Sequence, residues 1–153
     1  MNSVGDNAGD YMVNIAVLVK QVPDTNSKIQ IVGDRVDLSS VKMEISPYDE
    51  FAVENALQHK ESEGGTVTAI TVGNDGADKV LKGVKALGVD NIVRLDYDGY
   101  MDSNGLQSVL TDEIKSGGYD VVYCGKSAAD TGAGSTGPGI AERLGWGSIS
   151  NAT

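Results

Sequence analysis

The chain has one cysteine, Cys124, and one histidine, His59, in 153 residues. A lone cysteine excludes an internal disulfide. His59 has no second histidine or cysteine nearby to complete a metal site. Cations are scarce too: 12 lysines and arginines against 22 aspartates and glutamates, a formal net charge of −10. That balance argues against a nucleic-acid or anionic-membrane partner. No apolar run is long enough to span a bilayer and no signal peptide is recognisable, so the reading is a soluble, cytoplasmic protein without direct membrane insertion. The length suits one domain with an ordinary core.

What is abundant is glycine, 20 residues clustered at segment ends, as short-looped α/β architecture requires. Residues 1–11 are polar and aperiodic, read as a disordered leader before a domain beginning at Met12. Val13 to Val19 is a β-branched run typical of a strand covered on both faces. Lys20 to Thr25 follows as a polar loop. Ile29 to Val32 and Arg35 to Leu38 alternate around Gly33-Asp34 as a hairpin, and Met43 to Ile45 adds a short extended piece. Ser46, Pro47 and Asp49 spell a capped helix start, with Asp49 placed to complete a capping box. The helix then carries Phe51, Ala52, Val53, Ala56 and Leu57 as its apolar face and ends near Gly64-Gly65. His59, late in this helix, suits the negative end of its dipole.

Strand and helix patterns then alternate: Val67 to Val72, Ala77 to Leu87, Ile92 to Leu95, and Leu106 to Lys115. Asp96 to Asn104 is acidic but lacks the glycine and glutamate spacing of a calcium loop, and reads as a solvated connection. The alternation predicts an α/β fold, an open mostly parallel sheet with helices on both faces and a small β-hairpin insertion.

The stretch Tyr119 to Gly145 carries the strongest functional signal. A strand, Val121 to Cys124, leads into a loop of small residues with one acid, Asp130, and then a helix with Pro138 at its first position. Strand, glycine-rich loop and helix start together form a place for an anionic ligand. Gly132-Ala133-Gly134-Ser135-Thr136-Gly137 matches G-x-G-x-x-G, but it does not directly follow its strand and no acid stands 20 residues on. Gly125-Lys126-Ser127 imitates the end of a P-loop, but Asp120 stands where the earlier glycine belongs. The backbone-lined phosphate site survives both rejections.

Three blocks in order resemble the electron transfer flavoprotein β-subunit family, including its FixA-like members. They are Val17-Leu18-Val19-Lys20-Gln21-Val22-Pro23-Asp24-Thr25, Ser46-Pro47-Tyr48-Asp49-Glu50-Phe51-Ala52-Val53-Glu54-Asn55-Ala56-Leu57, and Cys124-Gly125-Lys126 through Asp130 to Thr136-Gly137-Pro138. The resemblance implies a Rossmann-like domain of the adenine-nucleotide α-hydrolase type over residues 12–146, with 147–153 the start of a missing C-terminal region. It implies a heterodimer with an α subunit holding the redox FAD, while the β subunit binds AMP or a second FAD. Electrons would pass from dehydrogenases to an acceptor such as a quinone oxidoreductase, the β subunit doing no bond chemistry and acting as an electron-carrier subunit rather than an enzyme.

Carried over by position, the resemblance places the nucleotide against Leu18, Val19, Ser46, Pro47, Tyr48, Val72, Ala128, Asp130, Thr131, Gly134, Ser135 and Thr136. The chain departs from the family where Ser46 replaces Asn, Ser127 replaces Gln, Ala129 replaces Ile and the loop reads TGAGST. A stand-alone universal-stress-like nucleotide-binding protein is the alternative. An ATP pyrophosphatase ranks below it, because Lys20-Gln21-Val22-Pro23 stands where a Ser/Gly-rich phosphate loop belongs.

Overall fold

The structure, a computed structural model, describes residues 12–152, so the leader expected over 1–11 lies outside the described residues. Its centre is a four-stranded parallel sheet built from β1 (Val13–Leu18), β6 (Gly65–Gly73), β7 (Asn91–Asp96) and β8 (Val121–Cys124), in the order β7-β6-β1-β8. Both faces of β1 are buried. Ile15 and Val17 face α1 (Pro47–Glu63) and α2 (Asp78–Ala86), in a core with Val53, Ala56, Leu81 and Val84. Ala16 and Leu18 face α3 (Ser103–Gly117) and α4 (Thr136–Leu144), in a core with Ile70, Leu110 and Ile140. The near-continuous apolar run is the signature of this two-sided burial, and the expected open parallel sheet with helices on both faces is what forms.

The chain runs outward from β1 to β6 and β7, then returns to the opposite side of β1 as β8. Strand order therefore reverses beside β1. In open α/β sheets, ligands bind outside the strands' carboxyl ends at such a reversal. Register places Leu18 beside both Ile70 and Cys124 at that end.

The amino end of the sheet is tied by side chains. Asn14 donates from its amide to the carbonyls of Gly117 and Gly118, and its backbone N–H donates to Asp120 at 2.8 Å. Lys60 reaches Asp90 at 2.7 Å, and the other oxygen of Asp90 accepts the Val67 N–H at 2.8 Å.

The hairpin forms as β3 (Gln30–Val32) and β4 (Arg35–Asp37), separate from the main sheet. Three features differ from the sequence reading. Gln21–Pro23 is β2, paired antiparallel with β5 (Met43–Ile45), so the supposed polar loop is partly strand. Phe51 points outward and is 69% exposed, leaving Ala52, Val53 and Ala56 to bury α1. α4 begins at Thr136, not at Pro138, which becomes its third residue.

Candidate functional site

A cavity of about 330 Å³ opens at the carboxyl ends of the central strands. Its floor is Leu18 and Val19 at the end of β1 with Ile70, Thr71 and Val72 of β6. One side is the segment after β8, from Cys124 to Ala128, continuing through Thr131, Ala133 and Gly134 to Thr136 at the start of α4. The other is Tyr100 to Ser103 before α3, with Leu106 and Leu110 of that helix.

The loop after β8 gives this cavity its polar character. Gly134 holds φ +63°, a backbone conformation that L side chains rarely adopt, and a Cβ there would lie 3.3 Å from the Lys126 carbonyl oxygen. α4 follows with no side chain capping its start and no acid in its first turn. The uncapped N–H groups of its first residues, Thr136 and Gly137, and its dipole make that end hospitable to an anion. Gly137, which sequence alone reads as part of a ligand loop, serves packing: a Cβ would sit 2.6 Å from the Cys124 sulfur.

Asp49 organises the joint between the ends of β1 and β8. The expected capping box does not form, for no side chain caps α1. The Asp49 carboxylate instead accepts the Lys20 backbone N–H at 2.8 Å and the Gly125 N–H at 3.2 Å. One side chain of α1 thus ties the end of β1 to the end of β8. Gly125 permits this, since a Cβ there would lie 2.3 Å from the carboxylate. Ser46 completes the joint: its N–H donates to the Lys20 carbonyl at 2.9 Å, and its buried hydroxyl accepts the Ala129 N–H at 3.4 Å.

Burial raises the Asp49 carboxyl to about 6, against the pull of the two backbone donors and Lys20, with Asp130 adding to the rise. Burial, with the Asp49 carboxylate beside it, also pushes the Cys124 thiol up. Cys124 is therefore a protonated, half-buried wall residue without the character of a nucleophile. Lys20 turns its ammonium to Asp130 at 2.8 Å, and that carboxylate also accepts the Thr131 N–H. Among the described residues no cluster of three or more histidine, cysteine, aspartate or glutamate side chains could hold a metal. No helix among them is long and apolar enough to cross a membrane.

Of the positions singled out from the sequence, Leu18, Val19, Val72, Ala128, Thr131, Gly134 and Thr136 border the cavity. Ser46 lies behind its wall, and Asp130 braces Lys20. The Ser135 carbonyl accepts a hydrogen bond from Gln107, while Pro47 and Tyr48 start α1 outside the lining. Sequence reasoning missed Asp49, Lys20 and the Tyr100–Met101 segment as wall residues. Asp49 and Lys20 stand inside the quoted blocks, so that position was the available signal. Tyr100 lay in the stretch read as a solvated connection.

Comparison with known proteins places the chain among electron transfer flavoproteins. The family described as electron transfer flavoprotein domain matches residues 35–153. The electron transfer flavoprotein subunit beta of Bacillus subtilis is 36% identical over 135 residues, covering 86% of this chain and 52% of that protein. The acryloyl-CoA reductase electron transfer subunit gamma of Anaerotignum propionicum is 34% identical over 138 residues, with shares of 86% and 52%. Protein FixA of Sinorhizobium fredii is 33% identical over 140 residues, with shares of 86% and 49%. The chain spans about half the length of the curated relatives it matches.

Proposed function

The chain belongs to the electron transfer flavoprotein family, and from that premise we propose that it serves as the nucleotide-binding part of a β subunit. The cavity takes an adenine nucleotide with its phosphate on the loop from Ala128 to Thr136. The observation that carries this reading is the uncapped start of α4, opening into a cavity at the strand-order reversal.

The wall fits such a ligand. Backbone N–H groups of the loop and of the start of α4 offer donors at one end, and aliphatic side chains suit a purine at the other. At about 330 Å³ the space lies near the lower bound for small-molecule sites. It suits AMP, or the adenylate half of an FAD whose remainder lies outside. Leu18, Val19 and Val72 border the nucleoside; Thr131, Gly134 and Thr136 border the phosphate. Ser46, Asp130 and Ser135 hold those segments in place, and Pro47 and Tyr48 start the helix that carries Asp49.

At the cavity wall the Cys124 thiol stays protonated and the Asp49 carboxylate is tied to backbone. The role that the family suggests is that of a bound-nucleotide subunit in electron transfer. The partner is an α subunit carrying the redox FAD, with electrons arriving from dehydrogenases and leaving to a quinone oxidoreductase. The test is to denature the purified chain and identify the released nucleotide by mass. AMP or FAD supports the reading; ATP, with hydrolysis in the native sample, overturns it.

A further inference from the structure

The two ends of the cavity differ chemically. The loop side carries Lys126, Ser127 and Thr131; the far side carries Leu18, Ile70, Leu106 and Leu110, closed by Tyr100 and Met101 with Asp102 and Ser103 beside them. Tyr100 stands out there. The residue borders the cavity and yet is 89% exposed. The one close aromatic pair among the described residues is His59 with Tyr123, so the Tyr100 ring has no aromatic neighbour.

The backbone that carries Tyr100 is fixed on both sides. The Tyr97 hydroxyl donates to the Tyr100 carbonyl at 2.9 Å. Two residues on, the Asp102 carboxylate accepts the Gly105 N–H at 2.7 Å and caps α3. Met101 packs over Gly105, where a Cβ would come within 3.1 Å of its side chain. Two anchors fix the backbone that carries this ring beside a recess lined by Leu106 and Leu110. An exposed tyrosine in such a place offers a flat apolar face to a flat ligand, with little rotamer freedom to lose.

Resting on the nucleotide reading above, we infer that Tyr100 is the base-recognition residue of this site: its ring stacks on the purine while Met101 closes the edge of the recess. The ligand class is thereby narrowed to a nucleotide bound base-inward, with its phosphate toward α4. Stacking needs no particular hydrogen-bond pattern, so the residue sets affinity for the aromatic base and leaves phosphate binding alone.

The test compares AMP with ribose 5-phosphate, which keeps the sugar and phosphate and lacks the base. Binding is measured by calorimetry on the full chain, dialysed free of nucleotide, as wild type, Tyr100→Ala and Tyr100→Phe. Tyr100→Ala should weaken AMP by about fivefold or more, the lower range for loss of one base–aromatic stack. It should leave ribose 5-phosphate unchanged, and Tyr100→Phe should bind AMP like wild type. If Tyr100→Ala binds AMP as wild type does, or loses both ligands equally, the stacking role is overturned while the nucleotide site stands. If wild type binds neither ligand, the nucleotide reading itself fails and takes this inference with it.

Discussion

The buried carboxylate of Asp49 makes folding stability depend on pH in a direction opposite to that of ordinary paired acids. Unfolded, Asp49 releases its proton near 3.8; folded, burial holds the proton until about 6. Below the lower value the side chain is neutral in both states and its contribution to stability is fully present. As pH rises between the two, the unfolded chain ionises first, and the native state loses ground until Asp49 ionises too. The gap of about two pH units corresponds to roughly 3 kcal/mol, at 1.36 kcal/mol for each unit.

The comparison protein is Asp49→Asn, whose amide oxygen can still accept one of the two backbone N–H groups from Lys20 and Gly125. Other carboxylates titrate alike in both proteins, so subtraction isolates Asp49. Urea unfolding of each at constant ionic strength, from pH 3 to 8, is the assay. The stability of wild type minus that of the variant should fall by roughly 3 kcal/mol across the window and then level off. A difference that stays flat, or rises with pH, would refute the burial argument, and with it the picture of an acid held at the strand ends against its solvation preference.

Two further outcomes follow from the packing. Gly134→Val and Gly132→Val both place a branched side chain at φ +63°, so each should cost about 1–2 kcal/mol of stability by urea titration. Only Gly134 borders the cavity, so only its substitution should also raise the dissociation constant for AMP, by roughly tenfold, when the two are compared by calorimetry. Phe51→Ala should shift stability by less than about 0.5 kcal/mol, because the ring is exposed. A loss of about 3 kcal/mol in the same melts would restore Phe51 to the core.

Several parts of this architecture are written locally in the chain. The run from Ile15 to Val19 announces burial on both faces because no polar residue interrupts it, and α2 shows the spacing of Val80, Leu81 and Val84. Gly118 and Gly145 close their helices in the left-handed conformation, as their positions after the last helical residue suggest. What stays hidden depends on partners distant in sequence. Ser46 and Asp49 have capping-box spacing, but the Asp49 oxygens find Lys20 and Gly125, 29 and 76 positions away. Lys20 to Pro23 reads as a turn until Met43–Ile45 arrives to pair with it. Phe51 sits among apolar neighbours in the sequence, yet the sheet accepts the smaller Ala52, Val53 and Ala56.

The loop after β8 reads as a ligand loop from its small residues, and in the structure it borders the cavity. Its glycines divide their labour in a way sequence cannot show: Gly134 meets a backbone requirement, and Gly137 makes room for Cys124. The Tyr100 rim was illegible for a simpler reason. Aspartates surround it in sequence, and only the fold carries it to the cavity across two neighbouring strands.

The central claim is that an adenine nucleotide lies across the carboxyl ends of β1 and β6 with its phosphate at the start of α4. Backbone amide shifts of the full chain, recorded while AMP is titrated in, test it most directly. Saturable shifts should be largest at Gly125, Ala129, Gly134 and Thr136, with smaller ones at Val19 and Val72. Shifts confined to the β3–β4 hairpin or the outer face of α1, or no saturable shift at all, would contradict it.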